Sequence, residues 1–81
     1  MEKRVAVLGI IIEDKTSAPK VNEILHEYGG FIIGRMGLPY SEKDINVISI
    51  VVDAPMDVIN ALSGKIGRIN GVSAKAVCSA K

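Results

Sequence analysis

The chain has few of the residues that form metal centres and disulfides. It contains one cysteine, Cys78, and one histidine, His26, which lie far apart in the sequence. A single cysteine excludes an intramolecular disulfide, and no cysteine–histidine spacing of the zinc type is present. We therefore predict no cofactor and no metal. Ligation by His26 and Cys78 across subunits is an alternative that the sequence leaves open.

Aromatic residues and an excess of one charge are also scarce. Ten Lys and Arg oppose nine Asp and Glu, and the chain has one phenylalanine, two tyrosines and no tryptophan. Proteins that bind nucleic acid cluster cations against the phosphates and stack aromatic side chains on the bases. This composition predicts no direct contact with nucleic acid.

The apolar run at residues 5–12 is too short to cross a membrane, since a spanning helix needs about 20 residues. The run also lacks the small-residue cleavage site of a secretory signal. No membrane association is therefore expected, and with a single cysteine the expected location is the cytoplasm.

A chain of 81 residues is expected to form a single domain, residues 1–81, with a modest apolar core. Domains of this size commonly gain stability from disulfides, a metal or a partner subunit. Because the first two are not expected, a partner subunit is the predicted source of additional stability.

Apolar periodicity predicts six elements in the order β-α-β-β-α-β. The predicted strands are residues 4–13, 31–38, 45–53 and 72–78. The first helix is predicted over about 19–28 and is expected to end at Gly29 and Gly30, in the left-handed conformation that glycine allows. The second helix is predicted to follow Asp53 as its N-cap, to include Pro55 and to end at residues 70–71.

Two interleaved strand–helix–strand units predict an α+β, ferredoxin-like sandwich, in which two helices cover one face of a four-stranded antiparallel sheet. This topology places the first and third strands in the centre, and these two strands are apolar on both faces. The second and fourth strands carry Arg35 and Lys75 and are predicted to be edges.

The helices of this fold leave one face of the sheet uncovered. Because the central strands are apolar on both sides, that face would be a larger apolar patch than monomers usually expose. We therefore predict a homo-oligomer, a dimer or a tetramer, that assembles through the sheet. The alternative is a monomer with scattered apolar residues on this face.

Two places carry polar groups suited to a small effector. Residues 14–17 lead into a helix N-terminus, whose free N–H groups favour an anionic or zwitterionic ligand. Arg35 lies in an otherwise apolar strand and can meet a carboxylate or phosphate. The alternatives are ordinary helix capping and a solvated edge charge. The predicted effector-binding residues are Asp14, Thr16, Ser17 and Arg35.

No arrangement of residues predicts a catalytic site. His26 lies just off the apolar stripe of the first helix, and Cys78 is expected to be a buried or half-buried strand residue. The Gly-Arg-Met-Gly stretch at residues 34–37 precedes no helix and so does not form a phosphate loop. A small enzyme that used Asp14, His26 or Arg35 would need these side chains to converge in one pocket.

Several stretches together resemble the ACT-type regulatory domain and, more closely, the small stand-alone proteins regarded as regulators of the iron-only hydrogenase system. The matching stretches are Arg-Val-Ala-Val-Leu-Gly-Ile at 4–10, Gly-Arg-Met-Gly at 34–37 and Ile-Asn-Gly-Val at 69–72. The resemblance implies a ferredoxin-like fold, oligomerisation and a regulatory role without catalytic residues. Such a protein would sense a small ligand or dock on a partner protein. A pure assembly adaptor with no small ligand is the alternative.

The chain departs at two points from the families that it resembles. ACT domains often bind amino acids where the first loop meets a neighbouring subunit, and Asp14 matches the acid of that loop. Ala18 and Pro19 stand where those domains usually have a glycine. The fold also resembles the effector domain of nickel-responsive repressors, but their histidine-rich nickel site and DNA-binding segment have no counterpart here. Nickel sensing and DNA binding are therefore not expected.

Overall fold

Four strands and two helices alternate along the chain in the computed structural model, which describes residues 2–81. The strands are β1 (Lys3–Ile12), β2 (Ile32–Tyr40), β3 (Ile45–Pro55) and β4 (Val72–Cys78). The helices are α1 (Ala18–Glu27) and α2 (Met56–Gly67), and short 3-10 turns lie at Lys15–Ser17, Gly29–Phe31 and Ser41–Lys43. The predicted element order is confirmed.

The four strands form an antiparallel sheet in the order β2-β3-β1-β4. The central strands β1 and β3 pair from Lys3 opposite Pro55 to Ile12 opposite Asn46. The ferredoxin-like α+β fold, the two central strands and the two edge strands are therefore as predicted.

The core lies between the helices and one face of the sheet. Because strand residues alternate between faces, the even-numbered residues 6–12 of β1 and 48–54 of β3 are buried on this side. The helices bury Val21, Ile24 and Leu25 of α1 and Ile59, Leu62 and Ile66 of α2. Burying each large aliphatic side chain stabilises the fold by about 1.5–3 kcal/mol. Within residues 2–81, no polar or charged side chain is buried in this core.

The start of α2 differs from the prediction. Asp53 does not cap the helix but lies in β3, opposite Val5 of β1. Pro55 has a φ of −61° and a ψ of 152°, so it ends the strand in extended geometry, and the residue before a proline is also held extended. The helix consequently begins at Met56, with Pro55 as an N-cap that makes no side-chain hydrogen bond.

The helix ends also differ from the prediction. Gly29 and Gly30 do not adopt the left-handed conformation; α1 passes instead into the 3-10 turn Gly29–Phe31. Among residues 2–81, positive φ occurs at Asp44 and at Gly71, where φ is 73°. Gly71 therefore has the expected conformation, but it ends the turn before β4, since α2 stops at Gly67.

No helix within the described part of the chain has the length and apolar character that a membrane crossing requires.

Candidate functional site

The face of the sheet opposite the helices, called the open face below, is rich in exposed aliphatic side chains. In the centre of this face, Val7 lies opposite Val51 and Ile11 lies opposite Val47. Val47 and Val51 are half-buried, and among the exposed aliphatic residues of this face the exposed fraction runs from 38% at Val5 to 74% at Val77. The strand register assigns to the open face Lys3, Val5, Val7, Gly9 and Ile11 of β1, Ile45, Val47, Ser49, Val51, Asp53 and Pro55 of β3, Gly34, Met36, Leu38 and Tyr40 of β2, and Ser73, Lys75 and Val77 of β4.

The open face carries three charged residues, Lys3 on β1, Asp53 on β3 and Lys75 on β4. Gly9 lies next to Lys75 in the sheet, and no atom lies within 4 Å of the position that a Cβ on Gly9 would take. Gly9, Ile11 and Val47 border a hollow of about 330 Å³ at this point. The open face is therefore largely apolar, carries charges of both signs, and is indented near its centre.

The polar side chains of the loop before α1 form hydrogen bonds within the protein. The Thr16 backbone N–H donates to Asp14 Oδ1 at 3.0 Å, and the Thr16 hydroxyl donates to the same oxygen at 2.6 Å. The Ser17 hydroxyl donates to the Asn70 carbonyl at 2.7 Å. The pKa of the Asp14 carboxyl lies below its ordinary value. The main cause is the hydrogen bond from the Thr16 hydroxyl, and the next is the hydrogen bond from the Thr16 backbone N–H. Hydrogen bonds of this kind are typical of turns and of helix N-termini.

Arg35 lies on the helix-covered side of β2, beyond the edge of the apolar core. Its Nη2 donates to Oδ1 of Asn22 on α1 at 2.5 Å, and Asn22 Nδ2 donates to the Ala18 carbonyl at 3.1 Å. Among the described residues, Arg35 forms no ion pair with a carboxylate. The α1 helix therefore positions the guanidinium through a neutral amide, and the charge of Arg35 is not neutralised.

A cleft of about 300 Å³ opens beside Arg35, between the first turns of α1 and the outer part of β2; it is called the α1–β2 cleft below. No carboxylate lines it. Gly37 lies two residues after Arg35 on the same side of β2, and a Cβ at Gly37 would meet no atom within 4 Å. The cleft is lined by Ile12, Ala18, Asn22, Arg35, Gly37, Leu38, Pro39, Asn46, Val47 and Ile48.

The predicted effector-binding residues separate into two groups. Asp14, Thr16 and Ser17 contact one another and the turn at Asn70, whereas Arg35 lines the α1–β2 cleft and the other three do not. No observation tests whether any of the four binds an effector, so that assignment stays a prediction.

The side chains that could act in catalysis or bind a metal do not come together at the α1–β2 cleft. His26 is exposed on α1 and, like Asp14, is not among the residues that line the cleft with Arg35. Cys78 is exposed at the end of edge strand β4, so the expectation that it is buried or half-buried was wrong. No group of three or more potential metal-ligating side chains comes together within residues 2–81.

Sequence reasoning missed Asn22, Gly37 and Asn46. Asn22 contacts a residue 13 positions away, which no local pattern indicates. Asn46 lies opposite both Ile12 and Pro39, so it reaches the cleft only through the strand register. Gly37 could have been predicted as a site residue. Residues two apart in a strand share a face, so Gly37 lies beside Arg35, and a glycine leaves open space there.

The antiparallel sheet with two helices on one face defines the chain as an α+β domain of the ferredoxin-like fold. A family model described as TM1266-like, "Iron-only hydrogenase system regulator, putative", matches residues 4–76. The chain belongs to this family, as the resemblance of its sequence motifs had indicated.

Two solved structures illustrate the relationship. The uncharacterized protein TM1266 from Thermotoga maritima is 38% identical, with a TM-score of 0.91 over 95% of this chain and 98% of that chain. A formyltetrahydrofolate deformylase from Pseudomonas putida KT2440 is 11% identical, with a TM-score of 0.65 over 90% of this chain and 28% of that chain; this likeness concerns the fold alone. No protein with a curated description matches the chain.

Proposed function

We propose that the chain is a non-catalytic, homo-oligomeric regulator of the iron-only hydrogenase system, acting in the cytoplasm, whose subunits pair through the open face. In this role it senses a small ligand or docks on a partner protein. The observation that carries the proposal is the open face itself, where Val5, Val7, Ile11, Leu38 and Val77 are between 38% and 74% exposed in the single subunit.

The extent of the open face suits an interface between two subunits. Four strands about 4.8 Å apart and about ten residues long, at roughly 3.3 Å per residue, cover roughly 600 Å² in projection. A standard-size interface buries about 800 Å² of accessible surface on each partner. Because accessible area exceeds the flat projection, a face of this size is sufficient for a specific, stable contact.

The charges of the open face favour a second copy of the chain as the partner. In a symmetric dimer, each subunit presents the same surface to the other. A face with charge of one sign would repel its copy, whereas this face carries both signs, so that Asp53 of one copy can meet Lys3 or Lys75 of the other. Covering Val7, Ile11 and their neighbours would also remove from water an apolar patch of a size that monomers seldom expose.

A regulatory role is supported by membership in a family described as regulators. The absence of catalysis is supported by the positions of Asp14, His26 and Arg35, which do not come together at the α1–β2 cleft. An assembly adaptor without a small ligand is the second candidate. It is favoured by the loop at residues 14–17, whose hydroxyl and carboxylate groups already form internal hydrogen bonds.

The assembly is tested by multi-angle light scattering at low micromolar concentration. We expect a dimer or tetramer for the wild-type chain and a monomer for Val7→Glu and Ile11→Glu, because each substitution would bury an unpaired charge in the interface. The matched control is Ala61→Glu, which adds the same charge to the exposed side of α2 and should leave the oligomer intact. A wild-type chain that is monomeric under these conditions would contradict the proposal.

The regulatory role is tested in the host cell. Deleting the gene should change the activity or amount of the iron-only hydrogenase, and the wild-type chain should restore it. The Val7→Glu variant should restore it poorly if the oligomer is the active form. A deletion strain with unchanged hydrogenase activity and amount would exclude the regulatory role but would leave the assembly result standing.

A further inference from the structure

We propose that the α1–β2 cleft binds a small organic carboxylate that lacks an ammonium group, such as a 2-oxo or 2-hydroxy acid, with Arg35 as the anchor of the carboxylate. This inference rests on the proposed function, since it specifies the ligand that the regulator would sense. The site lies within one subunit and is separate from the loop at residues 14–17.

The state of Arg35 points to an anionic ligand. Arg35 is exposed to solvent at the cleft, and its planar guanidinium matches the geometry of a carboxylate or phosphate. Here the guanidinium donates to the neutral amide of Asn22, and no carboxylate lines the cleft. That hydrogen bond uses one of the five N–H groups of Arg35 and fixes the guanidinium at the cleft, leaving other donors for a carboxylate.

The lining of the cleft defines the rest of the ligand. Ala18, Leu38 and Pro39 provide apolar surface, and the Asn46 amide provides a donor and an acceptor. Such a lining suits a short carbon chain with one oxo or hydroxyl group. It offers no carboxylate to an ammonium group, so the loss of hydration of that ammonium would not be offset. The lining therefore disfavours an amino acid relative to the matching hydroxy or oxo acid.

Gly37 keeps the cleft open. It pairs with Ile48 across β2 and β3, and an added Cβ would point into empty space rather than at another atom. Its φ is not positive, so a larger residue is compatible with the backbone. The Gly37→Val variant should therefore fold normally and fill the space beside Arg35. It tests the site without removing the charge or the hydrogen bond to Asn22.

The experiment is a ¹H–¹⁵N NMR titration of the full chain at constant ionic strength with four separate probes: pyruvate, L-lactate, L-alanine and inorganic phosphate. We expect pyruvate or lactate to shift the backbone amides of Arg35, Gly37 and Asn46, while the amides of Val7 and Gly9 on the open face stay in place. L-Alanine has the same carbon skeleton with an ammonium group and should bind at least about tenfold more weakly, the cost of an unpaired charge.

Two variants and a control locate the binding. Arg35→Met and Gly37→Val should each weaken the response to pyruvate or lactate by about tenfold or more, since a hydrogen bond to a charged group contributes strongly to binding. Arg68→Met removes an arginine at the end of α2, outside the cleft, and should have no effect. Thermal melts of all variants establish that they are folded.

Three outcomes would overturn the site: no shift of the cleft amides with either acid, an equal or larger response to alanine or to phosphate alone, or wild-type binding by both cleft variants. Light scattering on the same samples separates this inference from the proposed assembly. An oligomer that binds neither acid refutes the carboxylate site only. A monomer that binds them refutes the assembly only.

Discussion

Gly71 lies so close to Asp14 that a Cβ built on the glycine would be 2.5 Å from the Asp14 Cβ. The Gly71 carbonyl accepts hydrogen bonds from the backbone N–H groups of Glu13 at 2.7 Å and Asp14 at 3.3 Å. The adjacent Asn70 carbonyl accepts from the Ser17 hydroxyl. The turn before β4 thus holds the loop that leads from β1 into α1, and it requires a residue without a side chain.

Replacing Gly71 by alanine should destabilise the fold. The φ of 73° is costly for a residue with a Cβ, and the new methyl group would overlap Asp14. Together the two effects should lower the free energy of unfolding by about 2–4 kcal/mol. Urea denaturation measures the loss. Gly30→Ala is the matched control, because its Cβ would lie in open space without a positive φ, and it should cost far less. Equal effects of the two substitutions would contradict this account.

Two adjacent isoleucines of β1 should respond differently to truncation. Ile10 is fully buried under the helices, so Ile10→Ala should reduce the free energy of unfolding by about 2–5 kcal/mol at any protein concentration. Ile11 is 43% exposed on the open face, so Ile11→Ala should mainly weaken the oligomer. Denaturation at several protein concentrations separates the two effects. The loss of stability caused by Ile11→Ala should grow with protein concentration. A loss of stability that does not depend on concentration would count against the assembly.

The Asp14 carboxyl should have a depressed pKa that depends on Thr16. Because its pKa is lower in the folded state than in the unfolded state, the carboxylate stabilises the fold above about pH 4, and this contribution is lost as the pH falls through the folded-state pKa. A side-chain NMR titration should therefore place the pKa of Asp14 below its ordinary value. Thr16→Val removes the hydroxyl donor and should raise the pKa, and an unchanged value would exclude the hydroxyl as its main cause.

The strands and the core were predictable because their pattern is local. The alternation in β1 and β3 has a period of two, and the same period separates the core residues Ile10 and Ile48 from the open-face residues Ile11 and Val47. The start of α2 was not predicted, because the Asp53 capping signal competed with the extended geometry that Pro55 favours, and the proline determined the outcome.

The candidate site was predictable only in part, for a different reason. Arg35 could be singled out as a charge in an apolar strand, but its partner Asn22 lies on another element and is identified only by how α1 packs across β2. The polar loop residues at 14–17 could be identified, but their partner Asn70 lies 53 positions from Ser17. Contacts across such distances depend on the fold, which local patterns do not contain.

The central position of β1 has a consequence for how the chain is made. β1 is synthesised before both of its neighbours, β3, which starts at Ile45, and β4, which ends at Cys78. The pairing of Ala6 with Cys78 closes nearly the whole chain into one loop. Contacts so distant in sequence slow folding, because loop-closure entropy is lost before the contacts can compensate for it. On the ribosome, the first strand of the domain must therefore wait for its last strand, and the sheet is completed only after β4 has been synthesised.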